Sequence, residues 1–270
     1  MRYRAMALLG SLALAGVAWC AQYPDEPQIG QKGKDVVWIP SPNDMVEKML
    51  DMARVTPQDY VIDLGSGDGR NVIAAARRGA RALGVEYEEN LVEVSKRAAA
   101  KARVEDRASF VRGDMFAADI SQATVLVLFL IPSNLSRLAP KFLALKPGTR
   151  IVSNTYEIGN DWEPDETDHL PNCASWCVAH LYVVPAKVAG TWRLADGELT
   201  LQQHHQQVWG TYAVDGAEVS IAGRLQGSEI RFSVNGVEYS GRVSGDAMEG
   251  VAKGRETRAW KATLARERPR

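Results

Sequence analysis

The chain is poor in sulfur and imidazole: three cysteines and four histidines in 270 residues. A scaffold held together chiefly by disulfides is excluded on that count. Net charge is nearly absent, at −1 from 32 Lys+Arg against 33 Asp+Glu. No global field therefore favours a polyanion, and nucleic acid is not an expected partner. Aromatic residues are few, at 7%, but hydrophobic residues reach 46%. That suffices for a substantial core, in one large domain or two modest ones.

The N-terminus departs from this balance. Arg2 and Arg4 precede an apolar stretch from Ala5 to Ala18, followed by Trp19-Cys20-Ala21 and a polar, proline-containing segment. This is the layout of a secretory signal peptide. The apolar stretch is short for a membrane span. Export to the periplasm or outside the cell is expected, with lipidation at Cys20 or an uncleaved membrane anchor as alternatives. Such an anchor would be the chain's only membrane contact.

Further on, strand-like and helix-like runs alternate. Met45, Val46, Met49, Leu50 and Ala53 share one helical face, with Asn43 as an expected N-cap. Leu91, Val92, Ser95, Ala98, Ala99 and Ala102 mark another. A helix is expected from Asn134 to Leu145, started, kinked or split by Pro140. Alternation of this kind builds a doubly wound, mostly parallel α/β sheet. From about residue 178 helical periodicity gives way to short β runs separated by turn signals. Asn235-Gly236, between Ile230–Val234 and Val237–Tyr239, is the clearest hairpin signal. A small antiparallel domain is expected there, as a barrel or as a sheet packed on the first domain. The expected division is a signal peptide at 1–21, a linker at 22–36, an α/β domain at 37–175 and a β-rich domain at 176–270.

The densest motif is Val61-Ile62-Asp63-Leu64-Gly65-Ser66-Gly67-Asp68-Gly69-Arg70. An apolar strand ends in an acid, breaks into alternating glycines and runs into a helix. Glycines let the backbone approach a ligand, and the helix start supplies free N–H groups. The spacing is not the dinucleotide G-x-G-x-x-G, and Asp68 would repel a pyrophosphate. Two more strands end in acids, at Glu86 and Asp114. Glu86 stands about 20 residues after the loop, the interval of a ribose-binding acid. The run from Ala123 to Pro132 reads as a central strand buried on both faces.

This ordered set resembles class I S-adenosylmethionine (SAM) methyltransferases. Ile39-Pro40-Ser41-Pro42, the loop from Asp63 to Arg70, Ile73-Ala74-Ala75-Ala76, Gly84-Val85-Glu86-Tyr87 and Asn90-Leu91-Val92 narrow it. So does a proline just after the apolar fourth strand. Residues 36 to 165 look like the lysine methyltransferases that modify the c-subunit of ATP synthase and related mitochondrial proteins, and their bacterial relatives. The resemblance implies SAM as cofactor and a methyl acceptor that is a protein lysine. A small-molecule acceptor, or an inactive binding module of the same fold, is the alternative. It implies that Asp63, Gly65, Gly67 and the Gly69 region hold the methionine part of SAM, Glu86 the ribose, and Asp114 with Met115 the adenine, with Ser66 and Asp68 also cofactor-binding. Trp38, Pro40, Phe129, Leu130 and Pro132 would wall the acceptor channel. No catalytic base is singled out. Leu130-Ile131-Pro132-Ser133 stands where amide and base-amine methylating relatives carry Asn-Pro-Pro-Tyr. An export signal sits oddly with a cofactor made in the cytosol.

Three further groups carry open readings. Asp161, Glu163, Asp165, Glu166 and Asp168 form either a solvated loop or an attractor of cationic substrates. His169, Cys173, Cys177 and His180 fit a disulfide or buried thiols better than zinc, and no metal is expected. His204-His205 reads as an exposed β segment.

Overall fold

The structure is a computed structural model, and it describes residues 27–265 except 35, 160 and 215. The signal-like N-terminus lies outside the described residues.

After a strap at residues 27–42 comes α1 (Asn43–Met52), whose Met45, Val46, Met49 and Leu50 are buried. Pro42, not Asn43, occupies the N-cap, and no side chain caps the helix. The Pro42 carbonyl accepts from the Val46 N–H at 3.0 Å, so the turn starts one residue earlier than the sequence indicates. Then follow β1 (Tyr60–Leu64), α2 (Arg70–Arg77), β2 (Arg81–Glu86), α3 (Glu89–Ala102), β3 (Ala108–Arg112), β4 (Val125–Leu128), α4 (Pro132–Phe142) and β5 (Arg150–Asn154). Two more strands, β6 (Glu166–His169) and β7 (Val178–Val183), complete the sheet in the order β3-β2-β1-β4-β5-β7-β6. β3, β2, β1, β4 and β5 are parallel, β7 runs antiparallel to β5, and β6 antiparallel to β7.

β1 lies between β2 and β4, so the strand order reverses across it. The carboxyl ends of β1 and β4 are then the place where a crevice must open. β4 is apolar and buried throughout, as a central strand must be. It is shorter than the apolar run around it, because Pro132 takes the N1 position of α4.

β7 corrects the expected boundary at 175/176. Val178–Val183 belongs to the first sheet, with Ala179 to Tyr182 buried on both faces. Barrel strands alternate instead, as Glu229–Val234 does. The break between the units therefore falls between Val183 and Gly190.

The second unit is a closed barrel of β8 (Gly190–Leu194), β9 (Gly197–His204), β10 (Gln207–Val214), β11 (Ala217–Gln226), β12 (Glu229–Val234), β13 (Val237–Ser244), β14 (Ala247–Lys253) and β15 (Thr257–Leu264). Neighbours in sequence pair antiparallel, and β15 closes on β8. Asn235 and Gly236 take φ of 47° and 80°, the left-handed pair that a two-residue hairpin turn needs. Trp192, Phe232, Tyr239 and Trp260 are buried in the barrel core. At Gly250 an added Cβ would lie 1.9 Å from the Ser240 carbonyl oxygen, so adjacent strands approach too closely for any side chain there.

The units meet along a polar seam. Ala186 N–H donates to the Gly227 carbonyl at 2.8 Å, and Gln206 Nε2 to the Glu163 carbonyl at 2.6 Å. Arg224 pairs with Asp165 at 3.2 Å, while Asp165 also accepts from Val183 N–H at 2.8 Å.

Candidate active site

A cavity of about 460 Å³ opens at the carboxyl ends of β1, β2 and β4. That is the size of a small-molecule site, at the switch point of the sheet. Its floor is the glycine loop. Gly67 has φ of 55°, and a Cβ there would lie 2.5 Å from Trp38 Nε1. The glycine thus admits the Trp38 indole, which the strap lays over the loop. The strap is itself a small hairpin: Trp38 N–H donates to the Gln31 carbonyl and Gly30 N–H to the Trp38 carbonyl, both at 2.9 Å.

Asp63 is the penultimate residue of β1 and is 2% exposed. Its Oδ2 accepts from Asn71 Nδ2 at 3.1 Å, whereas its Oδ1 has no partner. Burial pushes its pKa up to about 8, helped by the nearby charges of Glu86 and Asp68 and opposed by the Asn71 bond. Ser66 Oγ and Asn71 Oδ1 are likewise buried without partners. Three unpaired oxygens around one turn form an acceptor-rich socket. Buried polar groups ordinarily find partners, so the socket suits a cationic donor such as an amino-acid ammonium.

Glu86, buried at the end of β2, accepts from Gly67 N–H at 2.8 Å and Glu88 N–H at 2.9 Å. It fixes the loop and still offers lone pairs to a diol. Asp114, after β3, accepts from Phe116 N–H at 2.9 Å and Lys34 Nζ at 3.1 Å. Those bonds hold its carboxyl below the usual range. Lys34 also stands 4.3 Å over the Tyr87 ring.

Of the residues picked from sequence, Asp63, Gly65, Ser66, Gly67, Asp68, Glu86, Asp114, Met115, Trp38, Pro40, Phe129 and Leu130 all line this cavity. Gly69 and Pro132 do not. Gly69 is the left-handed N-cap of α2, where a Cβ would strike Phe110 and Ser95. Pro132 starts α4, and Ile131 and Asn134 line the cavity in its stead. Asp68 lines the cavity with its carboxylate engaged by Arg70, at 2.6 Å from Nη2.

Sequence reasoning missed Tyr156 and Trp176. Trp176 packs edge-on against Phe129 at 5.4 Å and tilted against Tyr156 at 6.2 Å. All three line the cavity. Thr155, β-branched at φ 67°, turns the chain after β5 so that Tyr156 faces in. Such a conformation costs about 1–3 kcal/mol. It is held by Thr155 N–H donating to the Val178 carbonyl at 2.7 Å. Trp176 sits inside the loop closed by the Cys173–Cys177 disulfide, which removes both sulfurs from any zinc reading of that segment. Of the acidic run, none lines the cavity. Asp165 pairs with Arg224, and Asp168 with Lys48 at 2.5 Å. Both are thus engaged in ion pairs within the protein.

A mostly parallel sheet whose strand ends carry a glycine turn with buried unpaired oxygens, a buried acid and an aromatic-lined cavity marks a SAM-dependent methyltransferase. Comparison with known proteins narrows the class. A family model for the ANTKMT methyltransferase domain matches residues 63–166. A protein-lysine N-methyltransferase of Saccharolobus islandicus (strain REY15A) is 39% identical over 152 residues, covering 55% of this chain and 94% of that protein. The mouse lysine N-methyltransferase of the ATP synthase c-subunit is 34% identical over 131 residues, 48% of this chain and 52% of the relative. The chain thus spans about half of that curated relative. Among solved structures, an RNA methyltransferase from Salinibacter ruber in complex with S-adenosyl-L-homocysteine is 41% identical at a TM-score of 0.52, covering 56% of this chain and 96% of that one. The chain belongs to the family of SAM-dependent methyltransferases that includes these lysine-modifying relatives.

Proposed function

We propose that the protein methylates a lysine side-chain amine of a protein substrate. The observation that carries this is the aromatic group of Phe129, Tyr156 and Trp176 beside the glycine-loop socket. Ring faces of this kind accept an alkylammonium and pack against its methylene stem. Loss of water between them opposes the charge that the ring faces favour, and so eases formation of the neutral amine that attack requires. The ammonium must lose its proton before attack, and no residue is assigned as the base that takes it. The lysine-modifying relatives support the same acceptor.

When bound, SAM supplies an electrophilic sulfonium methyl group. Asp63, Ser66 and Asn71 would receive its ammonium, Glu86 its ribose, and Asp114 with Met115 its adenine. The strap from Val36 to Ser41 lines the cavity, and holding donor and acceptor in line there can supply most of the acceleration.

The experiment is methyl transfer from labelled SAM to lysine-bearing proteins, RNA and small amines side by side. Methyllysine in a protein is the expected product. Trp176→Ala should raise the acceptor KM about tenfold or more while leaving SAM affinity unchanged. Label confined to RNA or to a small amine would overturn the proposal.

We further infer that this chemistry takes place outside the cytosol. The Arg2-to-Ala21 layout and the Cys173–Cys177 disulfide both support an oxidising compartment. Detection of the cell's methyltransferase only in the cytosolic fraction, with Met1 retained, would refute it.

A further inference from the structure

Asp161 lies on the loop between β5 and β6, and His204-His205 at the turn joining β9 to β10. The fold brings these two units' side chains together. Both imidazole Nε2 atoms converge on one oxygen, Asp161 Oδ2, at 3.4 Å from His204 and 3.5 Å from His205. Those separations exceed the roughly 2.7–3.2 Å of a good N–H···O hydrogen bond. They match the edge of a tetrahedron around an ion with bonds of about 2.0–2.1 Å, which is about 3.3–3.4 Å.

We propose that Asp161, His204 and His205 form a binding site for a divalent ion of the zinc class, which ties the barrel to the methyltransferase sheet. Their ligand atoms all lie within 4.8 Å of one another. His205 Nε2 is buried with no hydrogen-bond partner, an orphan atom aimed into the site. Its ring is backed by Trp162, stacked at 5.6 Å and 24°, and Trp162 in turn packs edge-on against Tyr182 at 5.1 Å. One ligand is therefore preset. The other two are half or more exposed, at 52% for the His204 side chain and 67% for that of Asp161. They leave an entry path and a fourth position for water. Two imidazoles and one carboxylate suit Zn²⁺, whereas Ca²⁺ and Mg²⁺ seek oxygen ligands.

The test uses the full chain without an affinity tag, stripped with chelator and titrated with Zn²⁺ by calorimetry. One equivalent should bind, and the thermal midpoint should rise with Zn²⁺. His204→Gln and Asp161→Asn should each weaken binding at least about tenfold and abolish that rise. Both residues are exposed, and circular dichroism of the metal-free variants checks folding. His169→Gln should bind as wild type does, and Ca²⁺ should produce no rise. The proposal is overturned if wild type takes up no saturable equivalent. Unchanged affinity in the His204→Gln, Asp161→Asn double variant overturns it equally.

Discussion

With Asp63 in the cofactor role proposed above, SAM binding should depend on pH. Burial disfavours the charge of its carboxyl and Glu86 and Asp68 add repulsion, which together push its pKa up to about 8. At pH 7 such a group is about nine-tenths protonated. An ammonium entering beside the unpaired Oδ1 favours the carboxylate, so binding at pH 7 should release about 0.9 proton. The sign follows directly: the cation binds the deprotonated form, so affinity falls as pH drops below the free-site value. Between pH 7 and pH 6 the loss should be roughly ninefold, the ratio of deprotonated populations. An ordinary α-amino group, with pKa about 7.7–8.0, keeps its proton in that window. Calorimetry in two buffers of different ionisation enthalpy measures the released proton, and titrations at both pH values measure the slope. Asp63→Asn should remove both effects and weaken binding about 10–150-fold at pH 8, the value of a charged hydrogen bond. A pH-independent wild-type affinity, or an unchanged slope in Asp63→Asn, would refute the reasoning. The same linkage acts on the ligand-free fold. A raised carboxyl pKa means the native state binds more protons than the unfolded chain above about pH 4, so its stability contribution declines as pH rises toward 8.

Gly67→Ala places a methyl group against the Trp38 indole at a left-handed φ. SAM binding should fall more than tenfold, and tryptophan fluorescence should report the displaced strap; unchanged affinity would refute the packing. Cys173→Ser with Cys177→Ser frees the Trp176 loop. Acceptor KM should rise while SAM affinity holds, which a radiometric assay with varied acceptor separates. Trp192→Ala empties the centre of the barrel, where the indole Nε1 donates to the Val188 carbonyl at 2.8 Å. It should cost about 3–5 kcal/mol in denaturant unfolding; a loss below about 0.5 kcal/mol would show that the barrel core is not packed around it.

The glycine-loop half of the cavity is legible in the sequence because it is local. Asp63, the glycine loop, Glu86 and Asp114 each sit at a strand end, and the strand-then-acid pattern survives without knowledge of the fold. The aromatic half is not. Phe129, Tyr156 and Trp176 come from three separate segments, and only the pairing of β4, β5 and β7 brings them together. Tyr156 depends on the unusual φ of Thr155, which no residue pattern signals. Gly69 reads as a ligand contact because a glycine in a loop looks the same whether it faces a ligand or admits Phe110. The barrel's turns at Asn235-Gly236 and Gly227-Ser228 can be read directly, whereas His205-Gln206 carries no turn chemistry and hides the convergence on Asp161. The domain boundary lies later than expected because β7 resembles, in length and composition, the short β runs that follow. Its unbroken apolar middle, unlike their alternation, is the available sign.

Closure of the barrel imposes an order in time. β15 pairs with β8, and Ala265 N–H still donates to the Thr191 carbonyl at 2.7 Å. The first strand cannot find its outer partner until nearly the last described residue has left the ribosome. The first sheet is complete once Val183 has emerged, and domains form as units during synthesis at about 5–20 residues per second. Wherever the chain folds as it emerges, it therefore carries a finished α/β unit trailed by open strand edges, which are the edges most prone to pair with other chains. A stop codon placed before β15 should leave those edges permanently exposed, and aggregation rather than loss of SAM binding should be its first symptom.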